Sequence, residues 1–197
     1  MEPQRNFDQD FARFLMYFQA ATPAIGNDYM LLPIADAPLP IYRERVYCYE
    51  LYHQLRAEME RDPGRANFPY SLGGEVDKRA HPIMRGLDID DAKPDLLVHT
   101  PGVMGGNLVI IEVKPVNAAA AGIQKDLRTL TAFRNRGRYH FAIYLVYGEN
   151  ERDFHRTRQA AVRFQGQDEE RRIDLSLIDL YWHPEPGRAA ERIGWND

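Results

Sequence analysis

The chain has 197 residues, 44% of them hydrophobic, enough for one domain with a sizeable core. Mean hydropathy is −0.52, and no run approaches the ~20 apolar residues that a membrane span needs. Cys48, the single cysteine, excludes an intramolecular disulfide and a multi-cysteine zinc site. A net charge of −4 does not advertise nucleic-acid binding, which depends instead on local clustering of basic residues. The first residues carry no basic segment followed by an apolar one, so a cytoplasmic protein is the simplest expectation.

Residues 7–20 have the apolar spacing of a short helix, and residues 21–41 read as an irregular connector. Phe11, Phe14, Leu15, Tyr17 and Phe18 suit a dimer interface and suit packing onto the chain's own domain equally well. The spacing predicts a helix over 41–61, stopped by Asp62-Pro63-Gly64. A strand over 69–79 is interrupted by Gly73-Gly74, a bulge signature, and 81–91 is loop-like. Two strands follow, 94–100 and 107–114, then a helix over 118–135 with Ile123, Leu127 and Leu130 on one stripe. Residues 139–148 read as a buried strand, 150–165 as a polar helix and 173–183 as a final strand. The segment from Pro184 onward reads as a Pro/Gly-rich tail. Strand 107–114 is apolar on both faces, with Val109, Ile111 and Val113 on one and Leu108 and Ile110 on the other. Such a strand is buried on both sides, so helices must cover the sheet. The expectation is an α/β domain over 41–183, a mixed sheet between helices. Residues 1–40 form an N-terminal helical extension and 184–197 a C-terminal tail.

The Gly-rich turn from Thr100 to Asn107 is centred between Val103 and Met104. A symmetric hairpin about that point pairs residues whose numbers total 207, and Asp95 and Glu112 are such a pair. Opposed residues place their Cβ atoms roughly 5 Å apart, and like charges so placed repel. Lys114 lies on the same face, because strand side chains alternate. Two acids and a lysine converging there suit a divalent cation working on a phosphodiester. The plainer alternative is an exposed strand end with an ordinary ion pair.

The pattern Pro94-Asp95 followed by Glu112-Val113-Lys114 resembles the PD-(D/E)XK nuclease superfamily. The order helix, three strands, helix, strand over roughly 41–150 is similar to that family's core. The resemblance implies a restriction-endonuclease-like fold and a Mg²⁺-dependent nuclease acting on DNA more readily than RNA, with Mn²⁺ as a substitute. Asp95, Glu112 and the backbone carbonyl of Val113 would hold the metal. A bound divalent ion polarises phosphate and acidifies water, and one or two carboxylates suffice for Mg²⁺. Lys114 would orient or deprotonate the attacking water, or stabilise the transition state.

The resemblance also implies an acid from the first helix, for which Glu44 and Glu50 compete. At 100° per residue, Glu44 lies near the centre of the face formed by Tyr47, Cys48, Leu51 and Leu55, and Glu50 does not. Glu44 also reads as a solvated residue stabilised by the helix dipole. Gln124 and Lys125 open the helix after the Glu-Val-Lys strand, where some members place a residue that contacts the scissile phosphate. The tyrosine found four residues on in one family version is Arg128 here. Arg128, Arg134, Arg136 and Arg138 place four arginines in eleven residues, the best candidates for phosphate contacts. Arg152, Arg156, Arg158 and Arg163 form a second cluster, and either could be a solvated helix face. Glu75 and Asp77 share a strand face or a surface turn. Asp88, Asp90 and Asp91 lack the glycine and glutamate of a calcium loop. The six histidines show no zinc spacing. Many enzymes of this fold that cut both strands are dimers. The competing function is an inactive module on the same fold that binds nucleic acid or a protein partner.

Overall fold

The structure, a computed structural model, describes residues 5–74, 93–166 and 172–197. Among them, six strands form one mixed sheet in the order β1-β2-β3-β4-β5-β6. These are β1 (Ser71–Gly74), β2 (Leu96–His99), β3 (Asn107–Pro115), β4 (Phe141–Tyr147), β5 (Asp179–His183) and β6 (Glu191–Ile193). The helices are α1 (Phe7–Ala21), α2 (Asn27–Met30), α3 (Glu44–Arg61), α4 (Ala120–Asn135) and α5 (Glu151–Phe164). β1, β2 and β3 run antiparallel to their neighbours in that order, and β6 runs antiparallel to β5. β3, β4 and β5 are parallel. Parallel pairs need long crossover connections, which α4 and α5 supply.

Both faces of the sheet are covered, as the doubly apolar β3 requires. Val109, Ile111 and Val113 pack with residues of α1 and α3. Ile110, together with Tyr144 and Val146 of β4, packs with Ile123, Leu127 and Leu130 of α4. Each of those three helix residues is at most 2% exposed, worth roughly 1.5–3 kcal/mol apiece. Leu108 was expected to share Ile110's face. It packs instead with the α1/α3 cluster, because the register shifts at Val98/His99 and pairs His99 with Asn107.

Helix α1 begins where Asn6 Oδ1 accepts the Gln9 N–H at 3.2 Å, an N-cap. Phe11 stacks on Phe141 of β4 at 3.8 Å between ring centroids, and Phe18 meets Tyr181 of β5 edge-on. Phe11, Phe14, Tyr17 and Phe18 are buried, and Leu15 packs against the same cluster. The apolar face weighed for an interface is therefore filled within the chain. Helix α3 starts at Glu44, three residues later than the pattern predicts, because Ile41 forms a β-bridge with Leu32. It ends at Arg61, as Asp62-Pro63-Gly64 predicts, and Asp62 Oδ1 accepts the Gly64 N–H at 2.8 Å.

Two predicted boundaries are corrected near the C-terminus. The strand read over 173–183 is shortened to β5, because Asp174 accepts from the Ser176 N–H and turns 175–177 into a 3₁₀ turn. Residues 184–197 are not a loose tail. They contribute β6, and Trp195 Nε1 donates to the Ile178 carbonyl at 2.8 Å. The Ala190 N–H donates to Thr22 Oγ1 at 3.0 Å. Proline and glycine here make the turn between two strands, with Gly187 at φ +81°, and do not end the order. No helix among the described residues is long and apolar enough to cross a membrane.

Candidate active site

The register carries the site. Leu96 pairs with Ile111, Leu97 with Ile110 and Val98 with Val109, each pair totalling 207 as the turn predicts. One further step along the ladder sets Asp95 against Glu112. Asp95 Oδ2 accepts the Val113 N–H at 2.8 Å, and its carboxyl is hydrogen-bonded to that of Glu112. Two carboxyls can share a hydrogen bond only if one is protonated. In an extended strand the N–H and C=O of one residue point to the same side. The Val113 carbonyl therefore faces Asp95 as well, while the Val113 side chain is buried toward α3.

Lys114 completes the constellation from two directions. Its Nζ lies 2.7 Å from Glu44 Oε2 and 3.1 Å from Asp126 Oδ2. Glu44 is the acid that the amphipathic pattern of α3 favours: Tyr47, Cys48, Leu51 and Leu55 are all buried beside it. Glu50 accepts from Gln54 Nε2, one turn along the same helix. Asp126 is the residue that sequence reasoning passed over. It sits three residues after Ile123 and four before Leu130, on the apolar stripe of α4, and is 5% exposed. A charged residue inside an apolar stripe was the available signal. Tyr144, paired with Glu112 across the β3–β4 ladder, was passed over too. Its hydroxyl is buried with no hydrogen-bond partner.

Four carboxylates and one ammonium thus share a largely dry end of the sheet. Burial pushes Glu112 well above the usual carboxylate range, and the Asp95 and Asp126 charges push it further. Burial also raises Asp95, against the stabilising Val113 N–H. Asp126 is raised by burial to about 7, despite Lys114. Burial opposes the Lys114 ammonium, but Asp126 and Glu44 outweigh it and raise its pKa. Lys114 is therefore held as the ammonium at neutral pH. Burial raises the nearby Cys48 thiol, and the charges of Asp95, Glu44 and Glu112 add to that.

Comparison with family models, with curated proteins and with solved structures finds no match for this chain. The site has to be judged on its own chemistry. Among the described residues no three His, Cys, Asp or Glu side chains form a group that could hold a metal ion. Glu44 and Asp126 contact Lys114 instead, which leaves the Asp95–Glu112 pair. Hard oxygen donors in excess of cationic charge fit Mg²⁺ or Mn²⁺, and Mg²⁺ keeps most of its waters and needs only one or two carboxylates. The pair and the Val113 carbonyl are the groups that would hold it.

The predicted nucleic-acid contacts are scattered. Gln124 is half-buried and Lys125 exposed, both in the first turns of α4, near the site. Arg128 is half-buried one turn further on. Arg134 donates to the Tyr139 carbonyl at 2.7 Å and also to that of His140, which caps the α4–β4 connection. Arg136 and Arg138 are exposed at the end of the sheet where the His140 N–H meets the Asn107 carbonyl. Asn107 and Lys114 are seven residues apart on β3, about 23 Å of strand. Arg156 and Arg163 of the second cluster line a cleft of about 420 Å³ together with Val116, Ala118 and Ala120, beside the site end of β3. Glu75, Asp77, Asp88, Asp90 and Asp91 lie outside the described residues.

Proposed function

We propose that this chain is a divalent-metal-dependent nuclease of the PD-(D/E)XK superfamily, built on a restriction-endonuclease-like fold, that hydrolyses phosphodiester bonds in DNA more readily than in RNA. The observation that carries this reading is the hairpin register that sets Asp95 beside Glu112, with Lys114 two residues along the same strand. Two desolvated acids share a hydrogen bond that one of them must be protonated to make, and nothing in the packing of an ordinary sheet calls for them. A divalent ion bound there would take the place of that proton, polarise the phosphate and lower the pKa of a bound water. Asp95, Glu112 and the Val113 carbonyl would hold it. The Lys114 ammonium would lie against the phosphate oxygens as they gain charge, and Glu44 would orient that ammonium or the entering water. Asp126 and the wall of α4 exclude bulk solvent from one side.

The test is cleavage of linear, circular and single-stranded DNA, and of RNA, with Mg²⁺ and Mn²⁺. The expected result is cleavage that disappears in chelator. Absence of cleavage on every substrate, with the protein folded, would favour the second reading, an inactive module that binds nucleic acid or a protein. One observation supports that alternative: Lys114 is already neutralised by two acids within the chain.

A further inference from the structure

The two partners of Lys114 are not alike. Glu44 stands in the first turn of α3 with 36% of its side chain exposed, whereas Asp126 stands inside α4 with 7% exposed. Glu44 Oε2 accepts a hydrogen bond from the ammonium. Asp126 Oδ2 is buried and faces the ammonium at 3.1 Å. The stem of Lys114 runs along the start of the same helix: a Cβ built on Gly122 would come 3.7 Å from Lys114 Cε. The ammonium is thus bracketed by acids from two helices, one free to move into solvent and one locked in the core.

We propose that Asp126 is a positioning residue that anchors the Lys114 ammonium at the site, while Glu44 is the exchangeable partner that can leave it for a cation or a water. An acid buried on a packed helix has few alternative rotamers, whereas an exposed glutamate at a helix start has many. A lysine held by Glu44 alone would swing out on its four-carbon stem whenever Glu44 moved. With Asp126 in place its charge stays where it is needed.

The proposal is tested first without metal or substrate. The metal-free protein is treated with an amine-acylating reagent, and modification of Lys114 is compared by peptide mass spectrometry with that of exposed Lys125 in the same molecule. In the wild type, Lys114 should react at least tenfold more slowly than Lys125. Glu44→Gln should change the Lys114 rate less than threefold, Asp126→Asn should raise it more than tenfold, and Asp126→Glu should restore most of the protection. Far-UV circular dichroism and a cooperative melt establish that each variant is folded. If Asp126→Asn fails to fold, Asp126→Ser gives the same readout. A Lys114 rate in Asp126→Asn within twofold of wild type, or a larger increase in Glu44→Gln, overturns the proposal. The catalytic consequence rests on the nuclease reading: Asp126→Asn should lower kcat at least tenfold with KM within threefold, and Asp126→Glu should recover part of it. An inactive wild type would remove the nuclease reading and leave the labelling result to decide the role of Asp126. Protection lost without change in kcat would overturn the catalytic part.

Discussion

Glu44 and Lys114 meet at 2.7 Å although they stand 70 residues apart in the chain, one at the start of α3 and the other near the end of β3. The contact ties the helix that covers one face of the sheet to a lysine whose other partner, Asp126, comes from the helix on the opposite face. If the nuclease reading holds, Lys114→Met and Glu112→Gln should each lower single-turnover cleavage by about 10³-fold or more while the far-UV spectrum is retained. Cleavage per folded molecule equal to wild type in either variant would remove that residue from the chemistry.

The acidic cluster should make the metal-free protein less stable than its packing allows. Glu112 is 4% exposed beside two further acids, so the folded state gives up its proton far less readily than the unfolded chain, and that difference costs stability as pH rises. Glu112→Gln should raise the melting temperature of the metal-free protein at pH 8 by roughly 2–6 °C. Addition of Mn²⁺ should stabilise the wild type, since a ligand that binds only the folded state does so by mass action. It should leave Glu112→Gln nearly unchanged. Equal stabilisation of both proteins would mean that the ion binds elsewhere.

Asp126 sets a pH dependence in which burial outweighs its ion pair with Lys114. Its folded pKa is raised from 3.8 to about 7, so between those values the folded state holds the proton more tightly than the unfolded. Stability from this group is present below pH 3.8 and declines as pH rises toward 7. The advantage of Asp126→Asn over wild type in urea unfolding should be small near pH 4 and grow to about 4 kcal/mol by pH 8. A difference that stays flat over this range would mean that Asp126 is ionised throughout.

His183 acts in the other direction. Its side chain is fully buried and its Nδ1 lies 2.7 Å from Tyr47 Oη. Burial lowers its pKa from 6.5 to about 4, so the unfolded chain binds the proton first. Its contribution is intact above pH 6.5 and lost as pH falls toward 4, about 3 kcal/mol in all. His183→Gln keeps a partner for Tyr47 and should flatten that acid-side loss. An unchanged acid transition in the variant would assign the loss to other groups.

Nucleic-acid binding, if present, should weaken steeply with salt, and the geometry ranks the two arginine clusters. Arg156 and Arg163 line the cleft beside the end of β3, whereas Arg136 and Arg138 lie at the opposite end of the sheet. Replacing Arg156 and Arg163 with Ala should reduce the log–log salt slope by about 1–2, and the Arg136/Arg138 pair should change it less. The reverse order would move the nucleic-acid path across the far end of the sheet, and a flat salt response in the wild type would remove both patches.

Much of this arrangement is legible locally. The glycines and the centre of the 100–107 turn set the register by symmetry, and strand alternation then puts Asp95, Glu112 and Lys114 on one face. The apolar face of α3 singles out Glu44 over Glu50 because both periodicities are properties of the chain alone. The Leu108 exception arises where the register shifts at Val98/His99, a local departure from that symmetry.

The amino-acid pattern by itself determined the alternating helices and strands, the doubly covered β3 and the opposed acids of the hairpin, because each follows from short-range spacing. Only the tertiary structure decided that Asp126 joins the cluster, that Arg136 and Arg138 stand at the far end of the sheet, and that residues 191–193 make a sixth strand. Those depend on which helix crosses which strand and on where distant segments dock, and neither is encoded in the period of a single element.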